Sequence, residues 1–242
     1  MMRERYMEGY QKCIIAFLDI LGFKQLIHKK EFNEIRAIFS SIFTNEDAVI
    51  ALHRANDGDE SLDSYNQILK DKEIHILSDS IVIAAPSDKP EALAVVVDIC
   101  NCIQQQLYEL DIPVFLRGAI SKGDFYSEGN LIFGEGLIDA YLAEEYYAVY
   151  PRIILSDEIV DGMIISVCEE KKLPKDKDGY YYLDTLKSYF DCDSFNDLLH
   201  SDRYKRISEY VELQLKGYGD NNVREKYLWL KAELRKIREA LN

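Results

Sequence analysis

Cys13-Ile14-Ile15-Ala16-Phe17-Leu18-Asp19-Ile20-Leu21-Gly22-Phe23 is the stretch whose reading decides the fold. Six uncharged, mostly apolar residues run unbroken into Asp19, and a Gly-Phe turn then gives way to helical spacing from Lys24 onward. A run of this length without polar alternation predicts a central strand covered on both faces. An aspartate at the carboxyl end of such a strand sits where a sheet opens onto a ligand crevice. A second acid follows in Glu73-Ile74-His75-Ile76-Leu77-Ser78-Asp79-Ser80-Ile81-Val82-Ile83-Ala84-Ala85. Only Ser78-Asp79-Ser80 separates two apolar strands there, which is hairpin spacing. Adjacent strands would bring Asp19 and Asp79 to the same end of one sheet. Two carboxylates at close range repel unless a cation lies between them, and oxygen-only ligation selects magnesium or manganese. Each acid also has an ordinary reading, Asp19 as the cap of the helix from Gly22 and Asp79 as a turn residue. The pair together, each after an apolar strand, points to a metal site for nucleoside triphosphate chemistry.

Composition narrows the partners. The chain has 242 residues, long enough for one large domain or a domain with a helical tail, and 48% of them are hydrophobic. A net charge of −14 argues against a long nucleic-acid substrate, because phosphate contacts need clustered Lys and Arg. A small anion remains compatible, since a metal and a few basic groups can override the overall field. Residues 1–12 are charged and polar without an apolar signal core, and no stretch reaches membrane-spanning length, so a cytoplasmic protein with no membrane partner is expected. Cys13, Cys100, Cys102, Cys168 and Cys192 are odd in number and form no CxxC pair; they read as reduced core thiols.

Outward from the two acids, apolar residues at helical intervals predict two helices over residues 22–50, jointed at Glu31-Phe32-Asn33. Residues 53–72 are polar, with Asn56-Asp57-Gly58-Asp59 as the strongest breaker, and read as a surface loop. After the hairpin, Pro90 opens a long amphipathic helix ending near Asp111. Residues 114–126 read as a strand, Gly129-Asn130 as a turn, and Leu131-Ile132-Phe133 as the returning partner. Gly134-Glu135-Gly136 leads into a helix carrying Leu137, Ile138, Tyr141 and Leu142. Pro151 opens the strand Arg152-Ile153-Ile154-Leu155, and Ser156-Asp157-Glu158 caps a following helix. Residues 178–184 read as a Tyr-rich strand; the rest is helical, with Trp229 on the apolar side of a charged last helix.

Strand, two helices, hairpin, helix, hairpin, helix, strand is the order of an α+β layer, a mixed sheet with helices packed on one face. Period 2 puts Asp19 on a face with Phe17 and Ile15, Asp79 with Leu77 and His75, and Arg117 with Ala119 and Ser121. Too few helices remain to cover that face, so a homodimer with its active site at the seam is expected. Residues 1–170 form the catalytic-type unit, and residues 171–242 a C-terminal strand and helical extension packed on it.

The motifs resemble those of the class III nucleotidyl cyclases, the adenylate/guanylate cyclase catalytic domain, over residues 13–160. Phe17-Leu18-Asp19-Ile20-Leu21-Gly22-Phe23 is similar to that family's first metal-binding strand and turn, and Ser78-Asp79-Ser80 stands where the family has its second metal-binding hairpin. Arg117-Gly118-Ala119-Ile120-Ser121-Lys122-Gly123 resembles the strand carrying Arg, Gly and a pocket residue, and residues 134–144 match the entry to the dimer-interface helix. The resemblance implies a ferredoxin-like cyclase fold and two divalent ions per site, Mn2+ or Mg2+, held by Asp19, Asp79 and the backbone carbonyl of Ile20. It implies Asp19, Asp79 and Arg117 as catalytic residues. Nucleotide contacts would come from Phe17, Gly22, Phe23, His75, Arg117, Ser121 and Asp139.

Three departures bear on the base. Asp139 stands where the purine cyclases place a ribose-orienting Asn, Ala143 where they place a transition-state Arg, and His75 where a base-reading Lys is usual. Ser-Asp-Ser, Arg-Gly-Ala-Ile-Ser and Gly-x-Gly-Leu-Ile-x-Ala-Tyr-x-x-Glu are closer to bacterial pyrimidine cyclases of the Pycsar anti-phage type. That likeness implies a small homodimer using CTP or UTP with manganese. Without an Arg at position 143, Arg117 is the internal candidate for charge stabilisation; pairing with an acid suits it equally. His75 reads either as a base-edge reader or as a satisfied core histidine, and Lys122 and Lys216 as solvated side chains that could reach phosphates. Two other classes stay open: a catalytically silent nucleotide-binding regulatory module, and a two-metal polymerase or nuclease relative.

Overall fold

Gln11–Ile20 forms the central strand β1 in the computed structural model, which describes residues 9–43, 60–156, 159, 173–191, 202–217 and 221–240. Two short helices follow it, α1 (Phe23–Lys29) and α2 (Phe32–Phe43), then α3 (Glu60–Asp71). The hairpin is β2 (Glu73–Leu77) and β3 (Ser80–Pro86), joined by Ser78 and Asp79. Helix α4 (Ala92–Glu109) crosses to β4 (Leu116–Glu128), which turns at Gly129-Asn130 into β5 (Leu131–Phe133). Then come α5 (Glu135–Tyr147), β6 (Ile153–Leu155), β7 (Tyr182–Leu183), α6 (Thr185–Asp191), α7 (Asp202–Gly217) and α8 (Asn221–Ala240).

The strands join in the order β2-β3-β1-β4-β6-β7, with β5 on β4. β1 lies antiparallel between β3 and β4, while β4 and β6 are parallel, so the sheet is mixed. The first four strands with their helical crossovers form the split βαβ arrangement of a ferredoxin-like core. Both faces of β1 are covered, which is why its sequence shows no polar alternation. Ile14, Ala16, Leu18 and Ile20 pack with Ile81, Ile83 and Ile120 beneath Val96, Cys100 and Ile103 of α4. Cys13 and Ile15 face the other way, with Val82, Ala84 and Phe125.

That second face is where the chain departs from the expectation of an open surface awaiting another copy. Helix α5 crosses it and buries Ala140 against Ile15 and Val82. The approach is close because two glycines meet: a Cβ on Gly123 would lie 2.6 Å from the Cα of Gly136. Leu77 stays exposed and Phe17 half-buried, its ring edge-on to Tyr141 of α5 at 5.4 Å.

The reading of residues 53–72 as a loop is corrected over 60–71, which form α3; 53–59 lie outside the described residues. Tyr65, Ile68 and Leu69 share one buried stripe at helical spacing within a polar sequence, and Tyr65 donates to Asp98 of α4 at 2.9 Å. Of the Tyr-rich segment only Tyr182–Leu183 is strand, with a lone bridge from Tyr181 to Lys175. The cap expected at Asp157 and Glu158 lies outside the described residues, as do Cys168 and Cys192. Cys13 and Cys100 are buried and Cys102 partly so; burial pushes the Cys13 thiol up to about 12 and Cys102 to about 11.

Helices α6, α7 and α8 build a second apolar cluster at one end of the sheet. Tyr189, Phe190, Ile207, Tyr227 and Leu230 enclose Leu21, just after β1, and Phe115, just before β4. No helix among the described residues is long and apolar enough to cross a membrane.

Candidate active site

The carboxyl end of β1 is fixed on both sides. Asp19 sits opposite Ser80 of β3 and Arg117 of β4 in the ladder. Beyond it, the Ile20 N–H donates to the Asp79 carbonyl at 3.0 Å and the Leu21 N–H to the Phe115 carbonyl at 2.9 Å. The first bond lays the β2–β3 turn across the strand end, so Asp79 is delivered beside Asp19 by backbone rather than by side-chain reach. Ser78 takes a left-handed conformation, φ 62°, to make that turn. Gly22, φ 75°, swings the chain off the strand into α1, and its carbonyl accepts from Gln25 and Leu26. No side chain caps α1, so Asp19 is not spent on its ordinary helix-capping role.

Asp19 belongs instead to a charged cluster. The Nε of Arg117 donates to its Oδ2 at 2.9 Å. The Nη2 of Arg117 lies 2.7 Å from Oε1 of Glu144, an ion pair rather than an aligned hydrogen bond. Burial pushes the Asp19 carboxyl above its ordinary range; Arg117 pulls it back, and the negative charge of Asp79 pushes the same way as burial. Glu144, on α5 and 3% exposed, is pushed up to about 7 by burial, against the pull of Arg117. Lys226 of α8 also pulls on both Asp19 and Glu144, so the C-terminal helix is within electrostatic reach of the cluster.

The structure brings Asp19, Ile20, Asp79, Arg117 and the Gly22 turn together at one strand end. It places the other expected contacts elsewhere. Ser121, expected at the nucleotide, is fully buried, and its hydroxyl donates to the Gly136 carbonyl at 2.6 Å, tying α5 to β4. Phe23 turns inward against Phe39 at 5.9 Å. His75 pairs with Glu73 at 2.9 Å on the outer strand β2, near the Phe125 ring, which is the satisfied-histidine reading. Asp139 has Glu135 as its charged neighbour and is raised by burial first and that acid second. Ala143 is buried in a cluster with Ala119 and Tyr182 that Trp229 covers. Lys122 and Lys216 are exposed.

Glu144 and Lys226 are absent from the sequence-based site. The stripe Gly136, Ala140, Glu144 was the available signal for the first: two small residues at four-residue spacing mark the face laid on the sheet, and the acid ends it. Lys226 carries no local signal, because its position depends on how α8 docks.

The donor set fits a divalent ion. Asp19 and Asp79 are hard oxygen donors close enough to repel, and a cation between them would relieve that repulsion. No group of three or more His, Cys, Asp or Glu able to hold a metal forms among the described residues. Two carboxylates plus phosphate oxygens from a substrate is the ordinary way magnesium is held.

No protein-family model and no curated protein matches this sequence. Solved structures do resemble it. One is the catalytic core of a rhodopsin-guanylyl cyclase with converted specificity in complex with ATPαS, 14% identical, covering 72% of this chain and 94% of that one at a TM-score of 0.47. Another is the guanylate cyclase domain of RhGC from Catenaria anguillulae in complex with GTP, 14% identical, covering 73% and 96% at 0.45. A third, a bacterial light-regulated adenylyl cyclase, is 12% identical and covers 84% and 100% at 0.46.

Proposed function

We propose that this chain is a metal-dependent nucleotidyl cyclase that converts a nucleoside triphosphate, CTP or UTP, to the 3′,5′-cyclic monophosphate and pyrophosphate. A signal against phage is the role that the motif resemblance suggests for the product. The observation that carries the reading is the Ile20-to-Asp79 backbone bond, which sets two repelling carboxylates at the end of one strand beside an arginine. Asp19, Asp79 and the Ile20 carbonyl would hold two Mn2+ or Mg2+ ions. Bound there, the ions would acidify the ribose 3′-hydroxyl and offset charge on the triphosphate. Arg117 orients Asp19 through its Nε, and Glu144 holds the other end of the guanidinium in place. Pyrimidine use rests on the motif likeness alone, in which His75, Asp139 and Ala143 stand in place of the purine-type residues. A homodimer is supported by α5, whose outward face shows Ile138, Tyr141, Leu142 and Tyr146 to solvent.

Asp19→Asn and Asp79→Asn should each abolish cyclic product while leaving the fold intact. Wild type should gain melting temperature with manganese plus triphosphate, and neither variant should. Equal shifts in all three proteins would sink the metal site and the cyclase reading with it. One observation favours a silent, nucleotide-binding module: Arg117 is already held by two acids, and Ala143 offers no second cation. Manganese-dependent pyrophosphate release from each of the four triphosphates separates the two.

A further inference from the structure

Arg117 is held by two acids that reach it from different elements. Asp19 faces it across the β1–β4 ladder and accepts from its Nε at 2.9 Å. Glu144 reaches it from α5, with Oε1 2.7 Å from Nη2. The two contacts differ in kind. The Asp19 bond is aligned, and it occupies Oδ2, an oxygen of the carboxylate read above as a metal ligand. The Glu144 contact is an ion pair only, and among the described residues its Oε1 is buried without an aligned hydrogen bond. Glu144 is an acceptor with capacity to spare, beside a guanidinium bonded to another acid. A divalent ion and a guanidinium on one carboxylate repel each other, more strongly in a half-buried site than in water. Asp19 and Arg117 are each only 21% exposed, so solvent screens that repulsion poorly.

We propose that Glu144 is a positioning residue that takes over Arg117 when a divalent ion claims Asp19: the guanidinium pivots off Oδ2 and closes an aligned bond to Oε1. This rests on the reading of the strand end as a metal site. Before metal binds, Arg117 offsets the charge on Asp19. Afterwards the ion does, and Glu144 keeps the arginine at the strand end instead of letting it swing into solvent.

The test uses the full chain. A crystal structure with Mg2+ should show Arg117 Nε beyond about 3.5 Å from either Asp19 oxygen, outside hydrogen-bond range, and Nη2 donating to Glu144. Mn2+ calorimetry at pH 8, above the range in which Glu144 holds its proton, reads the exchange in solution. Arg117→Met should bind Mn2+ more tightly than wild type, since the competing cation is gone. Glu144→Gln should bind it about 10-fold more weakly, since the displaced guanidinium has no acid to receive it. Glu144→Asp separates reach from charge, because it keeps a carboxylate on α5 but draws it back from Nη2 by one carbon. It should lose as much affinity as Glu144→Gln. Glu144→Asp at wild-type affinity would mean that Glu144 acts by charge alone, which overturns the handover. Arg117 still bonded to Asp19 in the Mg2+ structure does the same, as does Arg117→Met with no gain in affinity. In each case cyclic product from wild type leaves the cyclase reading standing. Wild type that binds no Mn2+ also overturns the handover, and the cyclase reading falls with it only if no triphosphate is turned over.

Discussion

Glu144 shows how much one side chain depends on its surroundings. An acid 3% exposed and facing Asp19 across Arg117 holds its proton up to about pH 7. The folded state therefore binds a proton that the unfolded chain, with its ordinary carboxyl near 4.5, gives up earlier. Stability attributable to Glu144 is intact below about pH 4.5 and is lost as pH rises through about 7. Glu144→Gln removes that slope: without divalent ions the two proteins should melt alike at pH 5, and the variant should melt higher at pH 8. Melting scans across that range check it, and parallel profiles would show that Glu144 is not the titrating group. Asp19, Asp79 and Arg117 can be placed at one sheet end from strand period alone, because strands alternate strictly and the hairpin loop is short. Glu144 and Lys226 cannot, because each is positioned by contacts between elements far apart in sequence. Ser121 shows the converse: its face was legible, but the helix laid over it was not.

Among the elements, α5 decides the geometry around Arg117. Both of its sides carry apolar residues; the small pair Gly136 and Ala140 marks the side that meets the sheet, and Gly123 opposite allows the close approach. Gly123→Ala would put a Cβ 2.6 Å from backbone that has no side chain to yield. The helix would have to lift from β4, straining the Ser121–Gly136 bond and the Arg117–Glu144 pair together. A loss of about 1–3 kcal/mol in urea unfolding is expected, the usual cost of overpacking. On the proposed cyclase reading, product formation should fall further than stability does, because Arg117 is displaced. An unchanged unfolding midpoint would mean that the contact is looser than drawn. Helix α3 was hidden for a different reason: its buried stripe of Tyr65, Ile68 and Leu69 is short, and polar neighbours on both sides mask it. Long amphipathic α4 and the hairpin were legible because each buries a broad, regular set.

At the scale of the molecule, the apolar outer face of α5 remains to be covered. Helices with one face on a sheet usually show mostly charge on the other, and α5 shows Ile138, Tyr141 and Leu142 beside Glu135 and Glu145. If a second copy covers them, sedimentation should give a dimer for wild type and a monomer for Ile138→Asp, with each variant monomer still folded by far-UV dichroism. A wild-type monomer at micromolar concentration, with or without nucleotide, would rule out a shared seam.

The docking of α8 also has a consequence in time. Phe115 and Leu21 leave the ribosome long before the Tyr227 that covers them. At about 5–20 residues per second, that interval is on the order of ten seconds. A nascent chain can complete its whole sheet and still lack the helix that carries Lys226. During biosynthesis, then, the strand end and its two acids exist before the helix that covers Leu21 and Phe115 arrives.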